Sequence, residues 1–175
     1  MGKTVSKERK SVRRKNSTDI FSNKVANVLG DLSLSQKERE QALRKVYYEE
    51  AVRYRENAKN NLKKAKADND GNYEDKKYVR TACGVAYSGL LIVLDCLFLL
   101  NGIEITEGTK KDIVFYKYNL NNKVHTNRNL GGNFDSAYEI LHLWGYYDGI
   151  TRSSVVKDGF KLLDMFIELI NPNKS

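Results

Sequence analysis

Residue types that carry chemistry are sparse in this chain of 175 residues. It has two histidines, His125 and His142, and two cysteines, Cys83 and Cys96. Zinc sites bring such residues together at short spacings such as CxxC or HxxxH, and the sequence contains neither spacing. We therefore expect no metal and no cofactor, and we identify no catalytic residues from the sequence.

The two cysteines lie 13 positions apart in one apolar segment, which we interpret as a helix. A rise of about 1.5 Å per residue separates them by roughly 20 Å, whereas a disulfide needs Cα atoms within about 7 Å of each other. Cys83 and Cys96 should therefore be free, buried thiols, which are typical of proteins in a reducing compartment. We expect a cytoplasmic protein.

Polar side chains inside apolar segments are the remaining candidates for a site. Asp95 lies in the most apolar stretch of the chain, and a buried carboxylate must be paired, hydrogen-bonded or protonated. His142 lies one helical turn from Tyr138 and from Tyr146, where it equally fits a histidine at the rim of the core. The segment 146–149 also fits a packed helix C-terminus. Six residues are candidates for one cleft between helices: Arg80, Tyr87, Asp95, His142, Tyr146 and Asp148.

The net charge of +8 is concentrated in residues 1–18, which carry seven basic side chains and one acidic one. They account for +6, so residues 19–175 carry only +2. A basic segment is attracted to nucleic acid or to an anionic membrane surface, although it can equally be a solvated arm. The basic residues are Lys3, Lys7, Arg9, Lys10, Arg13, Arg14 and Lys15. We expect a disordered tail at 1–18, which could bind RNA or DNA, and a single helical domain at 19–175.

Composition and periodicity predict an all-α fold. The chain has one proline and 12 glycines, too little turn punctuation for a sheet protein of this size. Apolar residues recur at spacings of three and four from Leu43 to Ala65, after a capping box formed by Ser35 and Glu38. The long helix predicted at 36–68 should pair antiparallel with a helix at 74–100, through a turn rich in Asn, Asp and Gly.

Shorter helices complete the predicted bundle. We expect a short one at 20–29 and another at 110–120, separated by a polar loop at 121–132 from an amphipathic helix that follows Phe134. A last helix begins after Thr151 and ends before Pro172. The sequence therefore predicts an up-and-down bundle of five main helices plus a short N-terminal helix.

The segment Ala82–Leu100 is long enough to be considered as a membrane span. A central aspartate opposes insertion by about 2.5–3.5 kcal/mol, and Gly84, Ser88 and Gly89 make the segment less apolar. The amphipathic helices predicted around it also need an apolar partner. We interpret it as the central helix of the bundle and expect no membrane span.

Long words of this sequence resemble a bacterial family known mainly from Bacteroidetes and carried as a domain of unknown function. The words are ENAKNNLKKA (56–65), DKKYVRTACGVAYSGLLIVLD (75–95), SAYEILHLWGYYDG (136–149) and VVKDGF (155–160). The matched stretches, Glu50–Asn101 and Phe134–Ile170, cover about half of the chain. The family looks like a HEPN-type helical bundle. That resemblance implies four or five helices, dimers, and either ribonucleases or catalytically dead partners of nucleotidyltransferases.

The resemblance also implies what a live ribonuclease site would look like. HEPN ribonucleases carry an arginine followed, after four to six residues, by a histidine, which moves a proton at the 2′-hydroxyl while the arginine stabilises the phosphorane. No arginine precedes either histidine at that spacing, and the positions after Arg80 hold Val85, Ala86 and Tyr87. A tyrosine with an ordinary pKa near 10 is a poor base at neutral pH.

Three functions therefore stay open. We favour a non-catalytic helical interaction module, a homodimer that serves as a partner or regulator of another protein. The first alternative is a nucleic-acid-binding protein that uses the basic tail. The second is a degenerate ribonuclease or a nucleotide site in the cleft between helices. Fold alone does not decide among them.

Overall fold

The computed structural model describes residues 17–103, 105, 109–124 and 128–174. The described chain is all-α, as predicted, and contains two isolated β-bridges but no strand. A π-helix, Tyr138–Asp148, directly follows the fifth α-helix, and a single 3-10 turn, Pro172–Lys174, follows the last. The α-helices are α1 Ser17–Gly30, α2 Gln36–Lys64, α3 Lys76–Leu100, α4 Ile113–Asn122, α5 Leu130–Ala137 and α6 Ser153–Leu169.

The predicted capping box opens α2. The hydroxyl of Ser35 accepts from the backbone N–H of Glu38 (3.3 Å), and the Glu38 carboxylate accepts from the backbone N–H of Ser35 (2.9 Å). The predicted end of this helix at residue 68 is wrong, because the chain turns back after Lys64. Lys66 has a positive φ of 49°, and Ala67 forms an antiparallel bridge with Tyr73. A turn held by the bridge between Ala67 and Tyr73 therefore replaces the last turn of the predicted helix.

Helices α2 and α3 form the predicted antiparallel pair, and α3 lies at the centre of the fold. α2 contributes the buried side chains of Leu43, Tyr47, Ala51 and Ala58. A Cβ on Gly89 would lie 3.0 Å from the Cβ of Tyr54, so glycine permits the close approach of the two helices. The largest fully buried side chains come from α3, α5, the π-helix and α6, and include Phe98, Phe134, Leu141 and Phe166.

The prediction of a single α-helix after Phe134 is wrong. The helix α5 ends at Ala137, and a π-helix continues the segment. The π-helix packs closely on α3, because a Cβ on Gly145 would lie 2.5 Å from the Sγ atom of Cys83. It ends at Gly149, whose φ of 68° favours glycine. The predicted loop 121–132 is also shorter at both ends. α4 continues to Asn122, and the Asn129 side chain caps α5 by accepting from the N–H of Gly132 (3.0 Å).

Helix α3 is the one described helix whose length and hydropathy would suffice to cross a membrane. Half of its apolar window is buried inside the protein. The core helix of a soluble protein meets the same criteria of length and hydropathy. α1, by contrast, packs along α2 at the edge of the fold, where the ring of Phe21 lies edge-on to that of Tyr47 at 5.1 Å.

Candidate functional site

A stripe of small and apolar residues runs along the outer side of α3. We call Thr81, Val85, Ser88 and Ile92 the α3 stripe. Thr81 and Ser88 are exposed, and Val85 and Ile92 are partly exposed. The hydroxyls of Thr81 and Ser88 donate to the carbonyls of Lys77 and Gly84, each at 3.0 Å. The stripe therefore presents apolar groups and hydroxyls that are already bonded, and it carries no charge.

A recess of about 470 Å³ lies between this stripe and the π-helix. A Cβ on Gly84 would lie 2.8 Å from the ring of Tyr146, so the absence of a side chain lets that ring lie against α3. The lining carries no charged side chain: it consists of Thr81, Gly84, Val85, Tyr87, Ser88, His142 and Tyr146.

His142 is enclosed by four tyrosine rings. Its ring centroid lies 4.5 Å from Tyr87, 5.2 Å from Tyr138, 6.0 Å from Tyr146 and 4.9 Å from Tyr147. Burial lowers the pKa of His142 below its ordinary value, which favours the neutral imidazole. Burial, with a smaller effect from Tyr138, raises the pKa of Tyr87 well above 10, so its hydroxyl stays protonated.

Arg80 is engaged at the C-terminal end of the π-helix. Its guanidinium donates to the backbone carbonyl of Asp148 (3.4 Å). Its side chain covers Gly149, where a Cβ would lie 2.7 Å from the Nε atom. A cation at the end of a helix satisfies a carbonyl that has no partner within the helix. The geometry gives Arg80 a capping role rather than a position beside His142.

Asp95 belongs to a separate cluster farther along α3. Its carboxylate accepts from Lys111 Nζ (2.6 Å) and from the hydroxyl of Tyr116 (3.1 Å). Its side chain is 18% exposed. Burial raises the pKa of Asp95, and the bonds from Lys111 and Tyr116 oppose that shift. This cluster ties the start of α4 to the central helix.

The chain is similar to a known protein family and to a solved structure. The model of a family described as "Domain of unknown function (DUF5618)" matches residues 46–172. The chain belongs to this family. A solved structure of a protein of unknown function from Dyadobacter fermentans is similar to the chain at 35% identity, with a TM-score of 0.62. The similarity covers 75% of this chain and 98% of that one. No curated protein matches.

The DUF5618 region contains both the recess and the Asp95 cluster, and the matched family confirms a resemblance to a domain of unknown function. The solved relative comes from a member of the Bacteroidetes. The helix α1 and the first residues of α2 lie outside the matched region. Neither comparison carries a statement about activity, ligand or partner.

The six cleft candidates divide into three places in this DUF5618 fold. Tyr87, His142 and Tyr146 lie together in the recess, Arg80 contacts Asp148 through its carbonyl, and Asp95 lies in its own cluster. The described residues contain no group of three or more His, Cys, Asp or Glu side chains that could hold a metal. The predictions for His125 and for the basic residues of the tail concern positions outside the described residues.

Sequence reasoning did not find the α3 stripe or the role of Gly84. A signal was present, because the four residues of the stripe lie at helical spacings of four, three and four. In a helix that is apolar nearly all round, however, the sequence does not reveal which side is left uncovered. That depends on where the π-helix and α2 pack.

Proposed function

We propose that this protein is a non-catalytic helical interaction module with a HEPN-like architecture, and that it acts as a homodimeric partner or regulator. One observation carries the proposal: the central helix of the bundle leaves the uncharged α3 stripe exposed beside an aromatic recess. Such a surface is typical of an interface between proteins, since soluble proteins bury most of their contiguous apolar surface.

The chemistry of the recess supports a role without catalysis. His142 packs among tyrosine rings, no described acid orients it, and Arg80 caps the π-helix instead of facing it. Tyr87 has a raised pKa and is a poor nucleophile or base. General acid–base catalysis needs a group that exchanges a proton near neutral pH beside a charge stabiliser. The recess offers an imidazole but no charge stabiliser beside it among the described residues.

A second copy of the chain fits the α3 stripe best. The stripe spans 12 positions, and its small residues Thr81 and Ser88 let two helices approach closely. An antiparallel pairing about the middle of the stripe sets Val85 of one copy against Ser88 of the other. Such a two-fold contact is self-complementary. The HEPN resemblance, which implies dimers, agrees with this choice.

We also propose that the protein works in the cytoplasm, with α3 as a core helix and not as a membrane span. Cys83 and Cys96 are free and fully buried. Burial raises the pKa of each thiol to about 12. Unreactive thiols of this kind suit a reducing compartment.

Light scattering after size exclusion tests the dimer. We expect a dimer for the wild-type chain, and monomers for Val85→Glu and Ile92→Glu, because each buries an unpaired carboxylate at the contact. Val114→Glu is the matched control, since Val114 is 68% exposed and belongs to α4 and not to the α3 stripe. Circular dichroism checks that each variant stays helical. A monomeric wild type, or a dimer that both stripe variants leave intact, would overturn the proposal.

A further inference from the structure

We propose that one end of the bundle binds single-stranded nucleic acid, with phosphates held by lysine and arginine side chains and a base stacked on Trp144. We call this end the basic corner and define it as residues 63–80 and 144–157. It is distinct from the α3 stripe, and the inference does not depend on the proposed dimer.

Backbone pairing holds the basic corner together. The N–H of Tyr73 donates to the carbonyl of Thr151 (2.8 Å), and the N–H of Ser153 donates to the carbonyl of Gly71 (3.0 Å). These bonds join the α2–α3 turn to the segment between the π-helix and α6. The bond from Arg80 to the Asp148 carbonyl fastens the start of α3 to the same place. Side chains from four elements therefore share one rigid surface.

Uncompensated positive charge accumulates on this surface. The basic corner carries eight basic residues and five acidic ones, a net charge of +3, whereas residues 19–175 as a whole carry +2. All eight basic residues are exposed, and none forms an ion pair with another described residue. Two of the carboxylates accept from backbone N–H groups: Asp68 from Asn72 in the turn, and Asp75 from Lys77 in the first turn of α3. The basic residues are Lys63, Lys64, Lys66, Lys76, Lys77, Arg80, Arg152 and Lys157.

An exposed aromatic residue lies among these basic side chains. Trp144 is 42% exposed and lines a recess of about 450 Å³, whose charged lining residues are Lys76 and Asp148. Proteins that bind single strands combine cations along the backbone with aromatic rings on which bases stack. A duplex offers its bases far less readily, so we expect a preference for single strands.

The surface fits a nucleic acid better than a membrane. A membrane anchor inserts aliphatic as well as aromatic side chains, yet the large exposed hydrophobics of the basic corner are all aromatic. The exposed aliphatic ones, Ile20, Leu29, Leu32 and Val114, lie on α1, the turn after it, and α4. The tail cannot be the occupant, because residues 1–18 carry +6 and would be repelled.

The experiment uses the fluorescence of Trp144, the single tryptophan of the chain. Its emission reports on the surroundings of Trp144, so binding confined to the tail should leave it unchanged. Titration of the full chain with oligo(dT) should quench this emission saturably, with an affinity that falls as salt rises. A duplex of the same sequence should quench it at least several-fold more weakly.

Variants then separate the two parts of the site, with labelled oligo(dT) anisotropy as the readout. Trp144→Leu should weaken binding about ten-fold, because one stacked base is lost. Lys76→Gln with Arg152→Gln should lower the slope of log affinity against log salt by about 1.4. Tyr118→Leu with Lys123→Gln is the matched control. It removes an exposed aromatic residue and the lysine that lies 5.8 Å over its ring on α4, and it should change neither quantity.

Three results would overturn the inference. The first is oligo(dT) binding by anisotropy without a change in Trp144 emission, which would assign binding to the tail. The second is a change in Trp144 emission with phosphatidylserine vesicles and none with oligo(dT). The third is an equal loss of binding in the control pair and in the basic-corner variants.

Discussion

The imidazole of His142 lies 4.5 Å from the phenol ring of Tyr87, with an angle of 32° between the two planes. This contact joins the middle of the π-helix to the middle of α3. Three further tyrosines surround the same imidazole, so its neighbours are rings and not acids. His142 therefore acts as a packing residue, and the site favours its neutral form.

The first prediction concerns the pH dependence of stability. Burial lowers the pKa of His142 in the folded protein, so the unfolded chain binds the proton more tightly. This contribution is fully present above the ordinary pKa of about 6.5 and is lost as the pH falls below it. The free energy of unfolding, measured by urea denaturation, should therefore decrease between about pH 7 and pH 5, and His142→Phe should reduce that decrease.

His125→Gln is the control for this measurement, because His125 is the other histidine of the chain. The difference in pH slope between the two histidine variants isolates the contribution of His142. An unchanged pH slope in His142→Phe would show that the tyrosine enclosure does not shift the titration of His142.

The second prediction concerns Gly145, at the closest approach of the π-helix to α3. In Gly145→Ala the new Cβ would lie 2.5 Å from Cys83 Sγ and 2.8 Å from the carbonyl oxygen of Ile140. The backbone cannot yield as a flexible side chain would, so we expect a loss of about 1–3 kcal/mol in the free energy of unfolding. Gly30→Ala is the control: no heavy atom lies within 4 Å of the new Cβ. Equal stabilities for the two variants in thermal and urea unfolding would contradict this prediction.

Much of the fold could be predicted because its signals are local. The capping box of Ser35 and Glu38 fixes the start of α2, and the apolar stripe from Leu43 to Ala65 gives its buried face. The π-helix could not be predicted in this way. The spacing of Tyr138, His142 and Tyr146 fits an α-helix equally well, and the contact of Gly145 with Cys83 joins residues 62 positions apart.

The site was less predictable for the same reason. Sequence reasoning placed an aromatic ridge around His142, but it grouped that ridge with Asp95. Asp95 instead pairs with Lys111, which follows 16 residues later in an irregular segment. No periodicity reports on such a contact, because it depends on how the chain returns to α3 before α4 begins.

The third prediction tests that contact. Lys111→Met leaves the Asp95 carboxylate without its cation in a mostly buried position, which should cost about 1–3 kcal/mol at pH 7. Because burial raises the pKa of Asp95, its effect on stability is most favourable at low pH and declines as the pH rises through the folded-state pKa. Asp95→Asn removes this titration, so its stability relative to the wild type should improve with rising pH.

Two comparisons make the third prediction specific. Lys110→Met should change the free energy of unfolding by less than about 0.5 kcal/mol, because Lys110 is 87% exposed and pairs with Asp112 at the surface. The double variant of Asp95→Asn and Lys111→Met should be more stable than Lys111→Met alone. Equal losses of stability in Lys110→Met and Lys111→Met would show that the bond between Lys111 and Asp95 contributes no more than a surface ion pair.

The fourth prediction is that the purified protein does not cleave RNA without a metal ion. Cleavage at a 2′-hydroxyl needs a proton carrier and a charge stabiliser on the same phosphate. His142 is enclosed by rings, and Arg80 bonds to the Asp148 carbonyl at the far end of the π-helix. The assay compares wild-type protein with Arg80→Ala and His142→Ala on mixed RNA. Equal trace activity in all three would identify a contaminant, whereas robust wild-type turnover lost in either variant would show that the recess is a live active site and that the interaction-module proposal is wrong.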